Sequence, residues 1–141
     1  MAFSIVELLI VFGITVLLIA LCVPLAINFF NGQDLEDAAE QLTQTLRQAQ
    51  NKSMAQENDN AFGVRLTDNS YTLFKGMTYL SHDPSYDSTT DLPQGITSSG
   101  LTEIIFSKLQ GLPNNSGNII LTNNKNSSTI NINSIGRINL Q

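Results

Sequence analysis

Residues 3–30 read FSIVELLIVFGITVLLIALCVPLAINFF. From residue 8 to residue 30 the stretch is apolar apart from Gly13, Thr15 and Asn28. As a helix these residues would extend about 34 Å, enough to cross a hydrocarbon core of roughly 30 Å. The run is too long for the apolar segment of a signal peptide, which usually has about 7–15 residues. It therefore predicts a membrane-spanning helix.

Two residues of this helix do not suit an ordinary anchor. Glu7 stands at the edge of the apolar run, where a carboxylate is costly unless it reaches lipid headgroups or a positive partner. Pro24 lies inside the run and removes one backbone hydrogen bond. From these residues alone, two interpretations stay open. In the first, Glu7 marks the membrane interface and Pro24 kinks an ordinary membrane anchor. In the second, both residues serve a purpose other than anchoring.

The order of residues 3–11, FSIVELLIV, resembles the N-terminal motif of type IV pilins and pseudopilins. In that family an aromatic residue opens the mature chain and a glutamate follows four positions later, as Phe3 and Glu7 do here. Pro24 falls where many members have a helix-breaking proline, and Gly13 lies near a common glycine. The resemblance implies a structural subunit of a filament, without enzymatic activity.

The same resemblance implies how such a subunit would be used. A prepilin peptidase would cut between Ala2 and Phe3 and methylate the new amine, although related leaders end in glycine where this chain has Ala2. Inner-membrane assembly machinery would then move the helix from the bilayer into a filament core. There Glu7 would pair with the N-terminal amine of a neighbouring subunit, which would set the axial register because an unpaired buried carboxylate is strongly destabilising. Residues 13–24 would be where the helix loosens.

The chain divides by pattern into residues 1–32, the membrane and filament-core half of the helix, and residues 33–141, a globular head. An amphipathic helix is predicted over residues 34–54, because small and apolar residues recur at spacings of three and four. We expect it to continue the first helix, from about residue 4 to about residue 54. A separate helix capped by Asp34 is the alternative. The predicted core face comprises Leu35, Ala38, Leu42, Leu46, Ala49 and Ser53, widened by Ala39 and Thr45.

The remainder of the head alternates short strands with turns. One helix followed by consecutive strands predicts an α+β fold, with an antiparallel β-sheet packed on the C-terminal half of the helix. Residues 81–95 carry two prolines and three aspartates without periodicity, which predicts a surface loop. Strands are predicted at residues 61–66, 71–75, 103–106, 118–122, 129–133 and 137–140, with hairpin connections at residues 67–70 and 123–128.

Within the pilin superfamily, the head is similar to the GspH/FimT-like group of minor pilins and pseudopilins. The motif of that group is loose and consists of a phenylalanine, a glycine and a terminal Gly-Arg in a strand context. The matching positions are Ile105-Phe106, Gly111, residues 118–121 and Gly136-Arg137-Ile138. From the residues alone, Gly136 could simply permit a bulge.

Composition and side-chain chemistry argue against several other functions. The chain has 7 Lys and Arg, 12 Asp and Glu, and a net charge of −5, which argues against nucleic acid as a partner. The single histidine, His82, and the single cysteine, Cys22, supply neither a zinc site nor an internal disulfide. No catalytic or cofactor-binding motif is present, and no cofactor is expected.

Calcium is a weak possibility for the acidic segment that follows His82. Asp83, Asp87 and Asp91 offer carboxylate oxygens, but their spacing of four does not match an EF-hand. A solvated acidic loop is the favoured interpretation, so no metal is expected.

Two other functions remain open. A single-pass anchored protein whose extracytoplasmic head binds a ligand would be indifferent to Glu7. A DNA-uptake minor pilin is disfavoured because the last twenty residues contain only Lys125 and Arg137 as cations. The favoured function predicts an inner-membrane protein with an extracytoplasmic head, which joins other pilin subunits in a filament at the cell surface or in the periplasm.

Overall fold

A computed structural model describes the backbone of residues 4–141 and the side chains of all of these except residues 21–32 and residue 58. A single helix, α1, runs Ile5–Met54. This confirms the prediction of one continuous helix. The alternative of a second helix capped by Asp34 is wrong, because Asp34 lies inside α1 and the preceding residues Gly32 and Gln33 are also helical. The chain separates into two compact units, Met1–Gln33 and Asp34–Gln141.

Eight strands follow the helix, and they form two antiparallel four-stranded sheets. The first sheet has the order β3-β2-β1-β5 and the second has the order β4-β6-β7-β8. The strands are β1 (Phe62–Leu66), β2 (Ser70–Lys75), β3 (Asp83–Asp91), β4 (Thr97–Gly100), β5 (Glu103–Phe106), β6 (Gly117–Thr122), β7 (Ser127–Ile132) and β8 (Ile138–Leu140). Two 3₁₀ turns, Glu57–Asp59 and Tyr79–Ser81, precede β1 and β3.

The predicted α+β fold is confirmed, with the helix packed on antiparallel sheets. Both predicted hairpins are present, since Leu66 of β1 faces Tyr71 of β2 and Thr122 of β6 faces Ser127 of β7. The expectation of a single sheet is wrong. The strand β5 pairs with β1, and its Glu103 lies opposite Arg65, which is thirty-eight residues earlier in the chain. The strands that follow β5 hydrogen-bond to one another and to β4.

One hydrophobic core joins the helix to both sheets. Leu42, Leu46 and Ala49 of α1 are fully buried, and every residue of the predicted core stripe from Leu35 to Ser53 is buried as expected. Thr45, at the margin of that stripe, is half-buried. The sheets contribute the alternate residues of their strands, namely Phe62, Val64, Leu66, Tyr71, Leu73, Ile104, Phe106, Ile119, Leu121, Ile130, Ile132 and Ile138.

The predicted loop over residues 81–95 is wrong, because most of it forms the edge strand β3. Its side chains are almost all exposed, so no apolar alternation marks it in the sequence. Pairing with β2 forms the strand instead, from Ser70 opposite Asp91 to Leu73 opposite Ser88, with a register shift before Lys75 meets Asp83. The strand β4 was not predicted either, and it also lacks a buried side chain.

The C-terminal end of α1 is fixed to the start of β1 by a buried hydroxyl. The Phe62 backbone N–H donates to Ser53 Oγ at 2.8 Å, and that hydroxyl lies 3.3 Å from the Phe62 carbonyl oxygen. Ser53 is fully buried. A polar residue inside an apolar stripe is therefore explained by a backbone partner, as buried polar groups require.

Candidate assembly site

The N-terminal end of α1 brings Ser4 and Glu7 together. The Ser4 carbonyl oxygen accepts hydrogen bonds from the N–H groups of Glu7 and Leu8 at 3.1 and 3.2 Å. In return, Glu7 Oε2 accepts from the Ser4 backbone N–H at 3.4 Å. This is the return half of a capping box, in a place where the helix dipole favours negative charge. Glu7 is exposed, so its carboxylate is also accessible to a second partner.

The first turns of the helix present apolar side chains on all sides. Every described residue from Ser4 to Ala20 is exposed, and the large apolar side chains among them are 55–80% exposed. They are Ile5, Val6, Leu8, Leu9, Ile10, Val11, Phe12, Ile14, Val16, Leu17, Leu18 and Ile19. A helix that is apolar all round is normally covered by lipid or by other protein. This surface is much larger than scattered apolar residues on an ordinary protein surface.

Across the residues that the structure describes, no helical stretch combines the length and hydropathy of a membrane span.

Gly13 lies inside the exposed helix without a steric reason to be glycine. A Cβ added there would meet nothing within 4 Å, whereas glycine in a helix interior costs about 1 kcal/mol relative to alanine. Pro24 lies within α1, but its side chain and that of Cys22 fall outside the described side chains. Ala2 and Phe3, predicted for processing and assembly, lie outside the described residues altogether.

Gln50 links α1 to two loops of the head. Its Nε2 donates to the Gly111 carbonyl oxygen at 2.9 Å and to the Gly136 carbonyl oxygen at 2.8 Å. One loop joins β5 to β6 and the other joins β7 to β8, and the chain separates Gln50 from these glycines by 61 and 86 residues. We call this arrangement the Gln50 clamp.

Glycine is required at both acceptor positions of the Gln50 clamp. Gly111 has φ +63°, and a Cβ there would lie 2.8 Å from Met54 side-chain atoms. Gly136 has φ +82°, and a Cβ there would lie 2.6 Å from both Gln50 Nε2 and the Gly111 carbonyl oxygen. The structure thus brings together Gly111 and Gly136, two glycines of the motif read from the sequence, and Gly136 does more than permit a bulge. Left-handed backbone and close approach both favour glycine.

A polar cleft of about 460 Å³ lies beside the Gln50 clamp. Arg47, Gln50 and Asn51 of α1 form one wall, and residues 136–139 form the other. Arg47 Nη2 donates to the Ile138 carbonyl oxygen at 3.4 Å. The backbone N–H of Arg137 donates to Asn133 Oδ1 at 2.8 Å, and its exposed side chain lines the cleft. We call this the Arg47–Arg137 cleft.

The three aspartates considered for calcium lie along β3 and have separate partners. Asp83 Oδ1 accepts from the N–H and the hydroxyl of Ser85 at 3.1 and 2.6 Å, and these bonds hold the pKa of Asp83 below its usual value. Asp91 lies opposite Ser70 at the far end of the strand. In the described part of the chain, no group of three or more His, Cys, Asp or Glu is arranged to hold a metal ion.

His82 fastens the start of β3 to the first sheet. Its Nε2 lies 2.9 Å from Asp87 Oδ2, and its Nδ1 is hydrogen-bonded to the Tyr79 carbonyl oxygen. The ring stacks on Tyr79 with a centroid distance of 4.4 Å and meets Phe74 edge-on. The hydrogen bond to Asp87 raises the pKa of His82, because a nearby carboxylate favours the charged imidazolium.

Gln50 and Arg47 were not singled out by sequence reasoning. Both lie outside the apolar stripe of α1, where polar residues are ordinarily solvated, and their partners are backbone groups in distant loops. A usable signal was present in Ser53 and Gln50, since polar residues within or beside a core stripe near a helix end often bond to backbone. That signal does not identify the acceptor.

No family model matches the chain, and no curated protein matches it. Among solved structures, the minor pseudopilin EpsH from the type 2 secretion system of Vibrio cholerae is similar in fold, with a TM-score of 0.59. The similarity covers 77% of this chain and 96% of that chain, with 12% of residues identical. At that identity the comparison concerns fold, which does not by itself fix function. The chain therefore has a pilin-like α+β fold.

Proposed function

We propose that this chain is a non-enzymatic structural subunit of a type IV pilus-like filament or secretion pseudopilus. The observation that carries the proposal is the contrast between the two parts of α1. From Ser4 to Ala20 its side chains are exposed and mostly apolar, whereas from Leu35 to Ser53 one face is buried in the head. Such a helix has a head of its own and an apolar segment that must be covered by something else.

Two environments would cover the apolar segment in turn. Before assembly, the bilayer of the inner membrane would surround it, and the head would be extracytoplasmic. After assembly, the apolar helices of neighbouring subunits would surround it in a filament at the cell surface or in the periplasm. The partners are accordingly other pilin or pseudopilin subunits, a prepilin peptidase acting before Phe3, and inner-membrane assembly machinery.

Glu7 is the residue that distinguishes a filament subunit from a plain anchor. Its hydrogen bond to Ser4 uses one carboxylate oxygen at the long distance of 3.4 Å. In a filament the carboxylate would in addition pair with the N-terminal amine of a neighbouring chain. Both charges would be far from water there, so that correct axial register is favoured and incorrect register leaves them unpaired.

The narrower assignment to the GspH/FimT-like minor subunits is part of the proposal. Its support is that Gly111 and Gly136, which carry the resemblance, have positive φ angles and meet at the Gln50 clamp. The similar solved structure is itself that of a minor pseudopilin. In this proposal the motif holds the head onto its helix and performs no chemistry.

The first experiment compares the full chain with a version that begins at Gln33. We expect the full chain to form helical fibres visible by electron microscopy and the shortened version to be a soluble monomer, because its core lies within Asp34–Gln141. Fibres from the shortened version would refute a stalk-driven assembly. A full chain that stays monomeric in membranes under assembly conditions would favour the anchored binding protein instead.

The second experiment replaces Glu7 by Gln. Glutamine keeps the shape and an oxygen that can accept from Ser4, but it removes the charge. We expect membrane insertion to survive, while filament recovery by shearing falls sharply, because a few kcal/mol are lost per subunit contact. Glu57→Gln, which removes an exposed carboxylate of the head, is the matched control. Equal recovery for the two variants would mean that Glu7 does not set the register.

A further inference from the structure

Several charged residues of the head have no ion-pair partner within the described part of the chain. The ion pairs there join Lys52 to Glu57, Arg65 to Glu103, His82 to Asp87 and Lys108 to Asp59. Glu36, Glu40, Arg47 and Arg137 are exposed and belong to none of these pairs. The carboxylates of Glu36 and Glu40 and the guanidinium groups of Arg47 and Arg137 are therefore available for an ion pair with a second chain.

Three of these residues share one face of α1. At about 100° per residue, Glu36, Glu40 and Arg47 fall within about 40° of one another, and about 120–160° around the helix from the buried Leu42. This face borders the buried stripe at Thr43. At about 1.5 Å per residue, Arg47 lies about 10 Å beyond Glu40 and about 16 Å beyond Glu36. Arg137 joins Arg47 at the Arg47–Arg137 cleft. The face therefore has an acidic part and a basic part at a fixed separation.

We propose that the Arg47–Arg137 cleft receives the Glu36 and Glu40 carboxylates of a second copy of this chain. The inference rests on the proposed filament function and specifies which residues would join the heads of neighbouring subunits. In a filament the interfaces are heterologous, so one patch of a subunit meets a different patch of the next. If two parallel copies lay side by side without an axial offset, each charge would face the same charge on the other copy. An offset of about 10–16 Å along the helix places the Glu residues of one copy beside the Arg residues of the other.

The cleft has the chemistry to hold carboxylates. Guanidinium groups bind carboxylates through paired N–H donors, and two of them line a space of about 460 Å³ together with the amides of Asn51 and Asn139. The Gln50 amide already donates to the carbonyl oxygens of Gly111 and Gly136, so the α1 wall that carries Arg47 and the loop that carries Arg137 are held together before the partner arrives.

A second copy fits this cleft better than nucleic acid does. The chain has a net charge of −5, and Glu40 lies only about 10 Å from Arg47 along the same helix face. A phosphate backbone laid along that face would meet carboxylates as well as arginines, and tight binding to nucleic acid generally needs several cationic contacts.

The test uses the full chain and reverses charges one at a time. The side chain of Arg137 makes no hydrogen bond or ion pair within the described residues, so Arg137→Glu leaves the Gln50 clamp intact. We expect filament recovery to fall about fivefold, as for the stronger exposed ion pairs. Lys125→Glu makes the same charge change at the tip of the β6–β7 hairpin and should leave recovery within twofold. Adding Glu40→Arg to Arg137→Glu should restore recovery.

Cysteine cross-linking measures the contact directly. In a background carrying Cys22→Ala, we expect chains with Glu40→Cys and chains with Arg137→Cys to form disulfide dimers only when both are expressed together. The proposal is overturned if Arg137→Glu behaves as Lys125→Glu does, if the second change fails to restore recovery, or if no mixed dimer forms.

Two further outcomes separate this inference from other failures. If wild-type filaments form but the charge variants are neutral, the head contact is wrong while the proposed function stands. If wild-type chains form no filaments at all, the proposed function itself fails. Loss of duplex-DNA retention by Arg137→Glu with unchanged filament recovery would assign the cleft to nucleic acid and overturn the proposal.

Discussion

Replacing Gly136 by alanine tests the Gln50 clamp, which joins α1 to two loops of the head. Gly136 has φ +82°, and an added Cβ would lie 2.6 Å from Gln50 Nε2 and 2.6 Å from the Gly111 carbonyl oxygen. The Gly111 carbonyl oxygen belongs to the backbone, and the Gln50 side-chain amide is held by two hydrogen bonds. The methyl group therefore cannot be accommodated by a small rotation of a free side chain.

The expected loss has two parts. An L-residue in left-handed backbone costs about 1–2 kcal/mol. If Gln50 is pushed aside, each of its two hydrogen bonds removes about 0.5–1.5 kcal/mol of net stability. We therefore expect Gly136→Ala to lower the free energy of unfolding of the head by about 2–5 kcal/mol. That loss is a large fraction of the stability of a small domain, since native proteins are stable by only about 5–15 kcal/mol.

Urea unfolding of the version that begins at Gln33 measures this loss, and Gly95→Ala is its matched control. Gly95 has φ +86°, but a Cβ there would meet nothing within 4 Å, so its variant should lose only the conformational part, about 1–2 kcal/mol. Gln50→Ala should lose the hydrogen bonds without the backbone strain. Equal losses for the two glycine variants, or an unchanged midpoint in Gln50→Ala, would refute the reasoning.

Three other predictions concern the core, the His82 pair and the exposed helix. Leu42→Ala and Leu46→Ala remove fully buried side chains and should each cost about 2–5 kcal/mol in urea unfolding; unshifted midpoints would contradict the packing. Because the pKa of His82 is raised, its pairing with Asp87 stabilises the head fully below the ordinary pKa of 6.5 and less as pH rises through the folded pKa. Asp87→Asn should therefore lower the melting temperature more at about pH 5.5 than at about pH 8.5, and an equal effect would argue against the pair. Gly13→Ala should stabilise the helix by about 1 kcal/mol, seen as higher helicity by circular dichroism, and lower filament recovery; unchanged recovery would argue against loosening there.

The helix and its core face could be predicted because their pattern is local. Residues buried on one side of α1 recur every three or four positions, and Leu42, Leu46 and Ser53 are buried as that pattern requires. Strands with one buried face, such as β1 with Phe62 and Leu66, alternate in the same local way. For these elements, sequence neighbours report the packing directly.

The edge strand β3 could not be predicted in this way. Nearly all its side chains are exposed, so burial leaves no mark on the sequence, and Pro84 and three aspartates suggest a loop. Its backbone hydrogen bonds to β2 form the strand. Charged residues and proline on an edge strand are also what discourages pairing with other chains, so the residues that suggested a loop fit an exposed edge.

The division into two sheets and the Gln50 clamp were beyond sequence reasoning for a related reason. Strand patterns do not say which strand pairs with which, and β5 returns to β1 across a long connection that contains β2, β3 and β4. Gln50 reaches carbonyl groups that are 61 and 86 residues away. Every backbone offers such acceptors, so only the folded chain selects Gly111 and Gly136.

The strained glycines of the head are explained by close partners within the chain, whereas the costly residues of the exposed part of α1 are not. In the head, Gly111 and Gly136 adopt restricted backbone conformations, and the Gln50 clamp accounts for both. In the exposed part, Gly13 weakens the helix without any close neighbour, and Glu7 places a carboxylate beside a long apolar surface with one long hydrogen bond. Lipid alone would cover that surface, and its headgroups would suit the carboxylate, but lipid gives no reason for the glycine. In a filament, a neighbouring subunit would supply a positive partner for the Glu7 carboxylate, and local loosening of the helix would account for Gly13. We therefore favour a filament subunit over an anchored monomer.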